Sequence, residues 1–346
     1  MPVARWMRRL AVAGVLLCFT VVVLGAYVRL SAAGLGCPDW PGCYGHLTPP
    51  GAERSADAPA AWAGRPLVPA KAWREMMHRY AAGALALVIL AITALAISAR
   101  RVRVASVPFA LALFATVIVQ AFLGMLTVTW RLTPLIVTLH LLFGLTTLGL
   151  LWWLVLSLPK SSWGATALQS AGRAIRGGGA SPIVSGRQLA VLALAALALQ
   201  LALGGWTSSN YAAIACLDFP TCQGQWWPHT DYRSAFALWH PPNVNYEGGV
   251  LDNPARTAIH VTHRLGALIT AAALALAALH VLRHRGGLAG ARLRAWAVLG
   301  ALGLQLLIGV AMVLKAFPLS LATAHTAGAA LLLLATLALL RSLSTR

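Results

Sequence analysis

The chain is 346 residues long, 59% hydrophobic and 10% charged, with a mean hydropathy of +0.74. A soluble domain carries about 25% charged residues, so the composition excludes an ordinary soluble fold. Most of the formal charge of +19 falls in alternate loops, which argues against a nucleic-acid partner as its explanation.

Apolar runs of roughly 20 residues predict spans near 10–30, 76–98, 106–128, 135–157, 188–208, 258–282, 294–314 and 319–340. The fold class expected is an all-α integral membrane protein with eight transmembrane helices. The first run lies where a signal peptide would, but it is long and lacks a cleavage site before Arg29, which predicts a retained span. Arg5, Arg8 and Arg9 precede it. Arg100, Arg101 and Arg103 fall in the next loop on that side, then Lys160, Arg173, Arg176 and Arg187, then Arg283, Arg285, Arg292 and Arg294, with Arg341 and Arg346 last. All eight Asp and Glu residues lie in the opposite loops or at their edges. Basic residues collect on the cytoplasmic side, so both termini are expected there and the acidic loops outside.

Two segments of the chain match. Leu24-Gly25 leads into Gly36-Cys37-Pro38-Asp39-Trp40-Pro41-Gly42-Cys43, and Leu203-Gly204 leads into Ala215-Cys216-Leu217-Asp218-Phe219-Pro220-Thr221-Cys222, at an offset of 179. His78-Arg79 matches His263-Arg264, Gln120 matches Gln305, Gly124 matches Gly309 and His140 matches His325, all at 185. Four spans per half means that both halves enter from the same side, so the expected architecture is two four-helix bundles in a parallel repeat. The division expected is 1–157, then a cytoplasmic join at 158–187 rich in Gly and Ser, then 188–346.

Each half offers a histidine pair from its second and fourth spans, 62 residues apart: His78 with His140, and His263 with His325. Ionisable groups in a membrane are costly and mark functional sites. Imidazoles facing each other across a helical bundle can supply both axial ligands of a haem iron. The alternative is that they bridge helices by hydrogen bonds. No Cys-x-x-Cys-His motif is present, so any haem is held noncovalently. Arg79 and Arg264 follow the first histidine of each pair and suit haem propionates, or else snorkel to headgroups. Gly83, Gly266, Gly124, Gly144, Gly309 and Gly328 would admit a flat macrocycle or a close helix. Glu75 stands three residues before His78, where the other half has His260. A partly buried carboxylate there can act as a base or stabilise developing positive charge; the bland alternative is a solvated acid at a helix start. That difference suggests a reactive centre in the first half and an electron-transfer centre in the second. His46, His229, His240, His280 and His284 read as surface residues.

Cys18 is alone within the first span. Cys37 with Cys43 and Cys216 with Cys222 share outer loops, where closely spaced pairs read as disulfides, with thiolate metal sites as the competing reading.

The Gly36–Cys43 loop, Glu75-Met76-Met77-His78-Arg79, His140, the Cys216–Cys222 loop, His263-Arg264 and His325 together resemble the heme A synthase family, in its order and over nearly the whole chain. The resemblance implies an enzyme of the bacterial inner membrane that oxidises the C8 methyl of haem O, through an alcohol, to the formyl group of haem A for cytochrome oxidase. It implies that His78 and His140 flank the substrate, with Glu75 near the reacting methyl. His263 and His325 would ligate a haem b cofactor, and Cys37–Cys43 would steady the loop over the substrate pocket or take part in redox transfer. Haem O synthase and oxidase assembly factors are the partners implied. A dihaem cytochrome b relay and a haem transporter or chaperone are the rival readings.

Overall fold

The computed structural model describes residues 2–54, 66–102, 105–158, 185–239, 241, 244–284 and 289–343. Most of the 158–187 join, His240, Arg103, Arg285 and Arg346 lie outside the described residues. Among the described residues eight helices are long and apolar enough to cross a membrane. They are α1 (Pro2–Leu30), α2 (Pro69–Ser98), α3 (Val107–Thr129), α4 (Pro134–Ser157), α5 (Gly186–Ser209), α6 (Asn253–His284), α7 (Ala289–Leu314) and α8 (Leu319–Leu343). No β-strand occurs among the described residues; the outer loops contain two isolated bridges.

Helix is what these apolar runs must form, because each backbone donor and acceptor in lipid has to be satisfied within its own segment. Prolines in the first turns of α2, α3 and α4 fit where no intrahelical N–H is needed. Ser185 and Gln188 cap α5 reciprocally, the Ser185 hydroxyl accepting from the Gln188 N–H at 3.2 Å and the Gln188 amide oxygen from the Ser185 N–H at 2.8 Å. The α3–α4 and α7–α8 turns share one backbone. Leu132 N–H donates to Thr127 O and Phe317 N–H to Met312 O, both at 2.8 Å, through residues with left-handed φ. Four helices begin well before the predicted apolar runs: α1 at Pro2, α2 at Pro69, α6 at Asn253 and α7 at Ala289. Polar first turns dilute the apolar signal while helix continues, so His78 and His263 lie two to three turns inside their helices.

In the first half α1 packs on α2 and α4, and α3 lies between α2 and α4. In the second half α5 packs on α6 and α8, with α7 between α6 and α8. The halves meet where α4 touches α5 and α8, and α1 touches α8. One buried apolar cluster runs through both, with Ala11, Ala96, Ala190, Ala193, Ala277 and Ala330 allowing close helix approach. Polar bonds cross the seam: Trp152 Nε1 donates to Leu334 O at 2.9 Å, Arg29 Nη2 to Ser208 O at 2.9 Å, and the Thr138 and Ser209 hydroxyls pair at 3.2 Å.

Candidate functional site: two histidine pairs around one cavity

Both loop cysteine pairs are disulfides, Cys37–Cys43 and Cys216–Cys222. No group of three metal-ligating side chains occurs among the described residues, so a thiolate metal site finds no support. Each loop is folded around an aspartate. Asp39 accepts from the Tyr44 and Gly45 N–H groups at 2.6 and 2.9 Å, and Asp218 from those of Gln223 and Gly224 at 2.7 and 3.0 Å. Thr221 adds its hydroxyl to Asp218 at 2.6 Å. The bonds to Asp218 favour its carboxylate, and that carboxyl is held down to about 2, the Thr221 hydroxyl contributing most.

The arginines after His78 and His263 tie these loops to α2 and α6. Arg79 Nη1 donates to the carbonyls of Asp39 at 2.8 Å, Pro41 at 3.2 Å and Gly42, while Nη2 pairs with Glu75. Arg264 donates to Thr221 O and Asp218 O at 2.8 Å and Cys216 O at 3.2 Å, with Nε on His260 Nε2 at 3.2 Å. The sequence offers these guanidinia to propionates; in the structure loop carbonyls, Glu75 and His260 take up most of their donors. Glu75 is 4% exposed and also accepts from the Cys37 N–H at 2.9 Å, so it is not a solvated acid at a helix start. His260 holds the equivalent place in the other half, also 4% exposed, with its ring beside Phe317.

A cavity of about 1780 Å³ is lined by His78, His140, His263 and His325, with Glu75 and His260 also on its wall. Pockets for small molecules are roughly 300–1,000 Å³, so this one has room for more than one ligand. The His78 and His140 ring centroids are 6.4 Å apart, at 75°. Each of the four rings rests on a glycine of a neighbouring helix. An added Cβ at Gly25 would stand 2.9 Å from His78 Cε1; at Gly124, 3.2 Å from His140 Cε1; at Gly204, 3.3 Å from His263 Cε1; at Gly309, 3.1 Å from His325 Cε1.

Glutamines steady three of these histidines. Gln120 donates to the His140 carbonyl at 2.9 Å, Gln305 to the His325 carbonyl at 3.1 Å, and Gln200 to the His263 carbonyl at 2.9 Å while also meeting His263 Nδ1 at 3.0 Å. The match of Gln120 to Gln305 in the repeat signalled the first two. Gln200 was missed, because its counterpart at the 179 offset is Val21 and no repeat flags it. The surface histidines are elsewhere: His46 pairs its backbone with Cys43, and the His280 and His284 rings meet at 46° at the far end of α6.

Residues 8–337 match the COX15-CtaA family, described as cytochrome oxidase assembly protein. A relative in Shewanella oneidensis (strain MR-1) named "Heme A synthase" is 39% identical over 336 residues, which is 95% of this chain and 93% of the relative.

Proposed function

The chain belongs to the COX15-CtaA family of cytochrome oxidase assembly proteins, and we propose that it is a multi-pass membrane oxidoreductase converting haem O to haem A. The observation that carries this reading is the duplicated arrangement of histidine on glycine around one cavity, with a buried carboxylate beside the first pair only.

The histidine pair of the first half has the spacing a porphyrin iron needs, and the second half repeats its residues. Two metal–nitrogen bonds of about 2.0–2.1 Å separate facing nitrogens by about 4 Å, and the two ring radii bring the centroids close to the 6.4 Å between His78 and His140. The Nδ1 atoms of His78 and His140 are buried without a hydrogen-bond partner, and a buried imidazole nitrogen left so is costly unless a ligand takes it up. In this reading 1–157 holds the substrate between His78 and His140, and 188–346 holds haem b between His263 and His325. A bis-histidine haem b, when bound, supplies a one-electron acceptor with no coordination position open to oxygen.

The protein's own groups do the rest. Glu75 lies on the cavity wall one turn from His78, held in place by Arg79 and the Cys37 N–H. Oxidising a methyl group to an alcohol removes two electrons and two protons while water adds oxygen. A fixed carboxylate lowers the cost of positive charge at that carbon and takes up a proton. A second round gives a hydrate that loses water to leave the formyl group. The Cys37–Cys43 loop, fastened through Arg79, closes the outer end over this carboxylate.

We assign the inner membrane of a bacterium as the location, with both termini cytoplasmic and the disulfide loops periplasmic, supported by the basic and acidic loop pattern. Haem O synthase and oxidase assembly factors are the expected partners. Incubating the purified protein with haem O and an electron acceptor, then chromatographing the extracted haems, tests the activity. Haem A supports it; haem b with unaltered haem O overturns it and leaves an electron relay or a carrier.

A further inference from the structure

The cavity breaks the membrane-facing surface differently in the two halves. Residues that line it and are also exposed include Gly83 on α2 and Ala121 on α3, and, at the 185 offset, Leu268 on α6 and Leu306 on α7. One turn before Ala121 lies Val117, and one turn before Leu306 lies Leu302, both on the cavity wall. Three positions that are leucine in the second half are therefore glycine, valine and alanine in the first, while Leu87, one turn past Gly83 and also exposed on the cavity wall, has Ala272 as its counterpart; over the four positions the first half has five fewer side-chain carbon atoms. At Gly83 an added Cβ would meet nothing within 4 Å, so the space beside it is open.

We propose that the cleft between α2 and α3, bordered by Gly83, Val117 and Ala121, is the door through which the porphyrin substrate passes edge-on between bilayer and cavity, and that Leu268, Leu302 and Leu306 close the matching cleft. The inference rests on the haem O reading above and adds which half exchanges its ligand. On the wall of the same cavity, the half-buried His78 and His140 have buried Nδ1 atoms without a hydrogen-bond partner, so the cleft leads to groups built to hold something. A macrocycle with apolar faces partitions into hydrocarbon, and a lateral entry spares it the polar outer loops. Small residues lower the side-chain barrier between two helices, whereas a leucine wall must be displaced before a flat ring leaves. An exchanged substrate needs the first arrangement, and a resident cofactor needs the second.

Importing the second half's residues tests this. Gly83→Leu, Ala121→Leu and the double variant are purified in nanodiscs and mixed with haem O, and uptake is followed by the absorbance change on ligation. Uptake should slow at least tenfold in the double variant, with haem b content equal to that of the parent protein. In the reciprocal Leu306→Ala and Leu268→Gly variants, transfer of haem b to excess apomyoglobin should speed up by a similar factor. Unchanged uptake in the double variant, with haem b retained, overturns the proposal. Because Gly83 faces open space, Gly83→Leu alone decides the matter should the double variant lose its haem b. Uptake is read separately from conversion. A parent protein that takes up haem O without forming haem A defeats the functional reading and still leaves the door tested.

Discussion

Glu75 and Arg79, one turn apart on α2, form a buried ion pair whose guanidinium also holds three carbonyls of the Cys37–Cys43 loop. In the other half His260 and Arg264 occupy the same places, and the imidazole accepts from Arg264 at Nε2, so it is neutral there. One helix-and-loop device thus carries a carboxylate on one side of the molecule and an uncharged ring on the other.

Replacing Glu75 with Gln keeps the size of the side chain and a bond to the loop while removing the charge. Haem A formation should fall by roughly 10²–10⁴-fold, the usual worth of a positioned acid–base group, with haem b content intact. Product chromatography beside a haem b assay reads both quantities.

The arginines should differ in stability cost although they hold equivalent loops. Arg79→Ala strands the Glu75 carboxylate in a buried site and should cost about 3–5 kcal/mol. Arg264→Ala strands only a neutral imidazole and carbonyls and should cost less. Thermal unfolding of the two variants in detergent gives the order, and equal midpoints would contradict it.

Glycine-to-alanine substitutions probe the seats of the histidines. Gly25→Ala places a methyl 2.9 Å from His78, closer than contact permits, whereas Gly204→Ala leaves 3.3 Å to His263. Haem O affinity should drop roughly 10–100-fold in Gly25→Ala, as when support of a metal ligand is lost, while Gly204→Ala loses less haem b affinity. Titration of each porphyrin into the purified variants checks the ranking.

Acid should loosen the second loop only below the ordinary carboxylate range. Asp218 protonates at about 2 in the folded loop against 3.8 unperturbed, so its contribution is complete above about pH 4 and is lost as pH falls through about 2. Hydrogen exchange at the Gln223 and Gly224 amides, corrected for intrinsic rates, should be flat down to about pH 4 and rise below it.

Much of this was legible in the chain because duplication exposes function. Histidines, cysteines and Gln120 with Gln305 stand out where composition alone would hide them, and apolar length fixes eight spans. What stayed hidden depends on direction in space. Arg79 follows a histidine in sequence, yet its side chain turns outward to loop carbonyls, and no periodicity reveals a carbonyl cage. Gly25 and Gly204 were visible as repeat markers, but that a ring sits on each requires the helix pairing. Gln200 has no partner in the repeat and looked like one polar residue in an apolar run. The early start of α2 escaped notice because Lys71, Arg74 and Glu75 lower hydropathy without interrupting the helix.

The account stands or falls on the pigment of histidine variants. Absorbance spectra and extracted haem should show that His263→Ala and His325→Ala lose haem b, while His78→Ala and His140→Ala keep it and fail to ligate added haem O. A colourless parent protein, or full pigment after all four histidines are replaced, would contradict it.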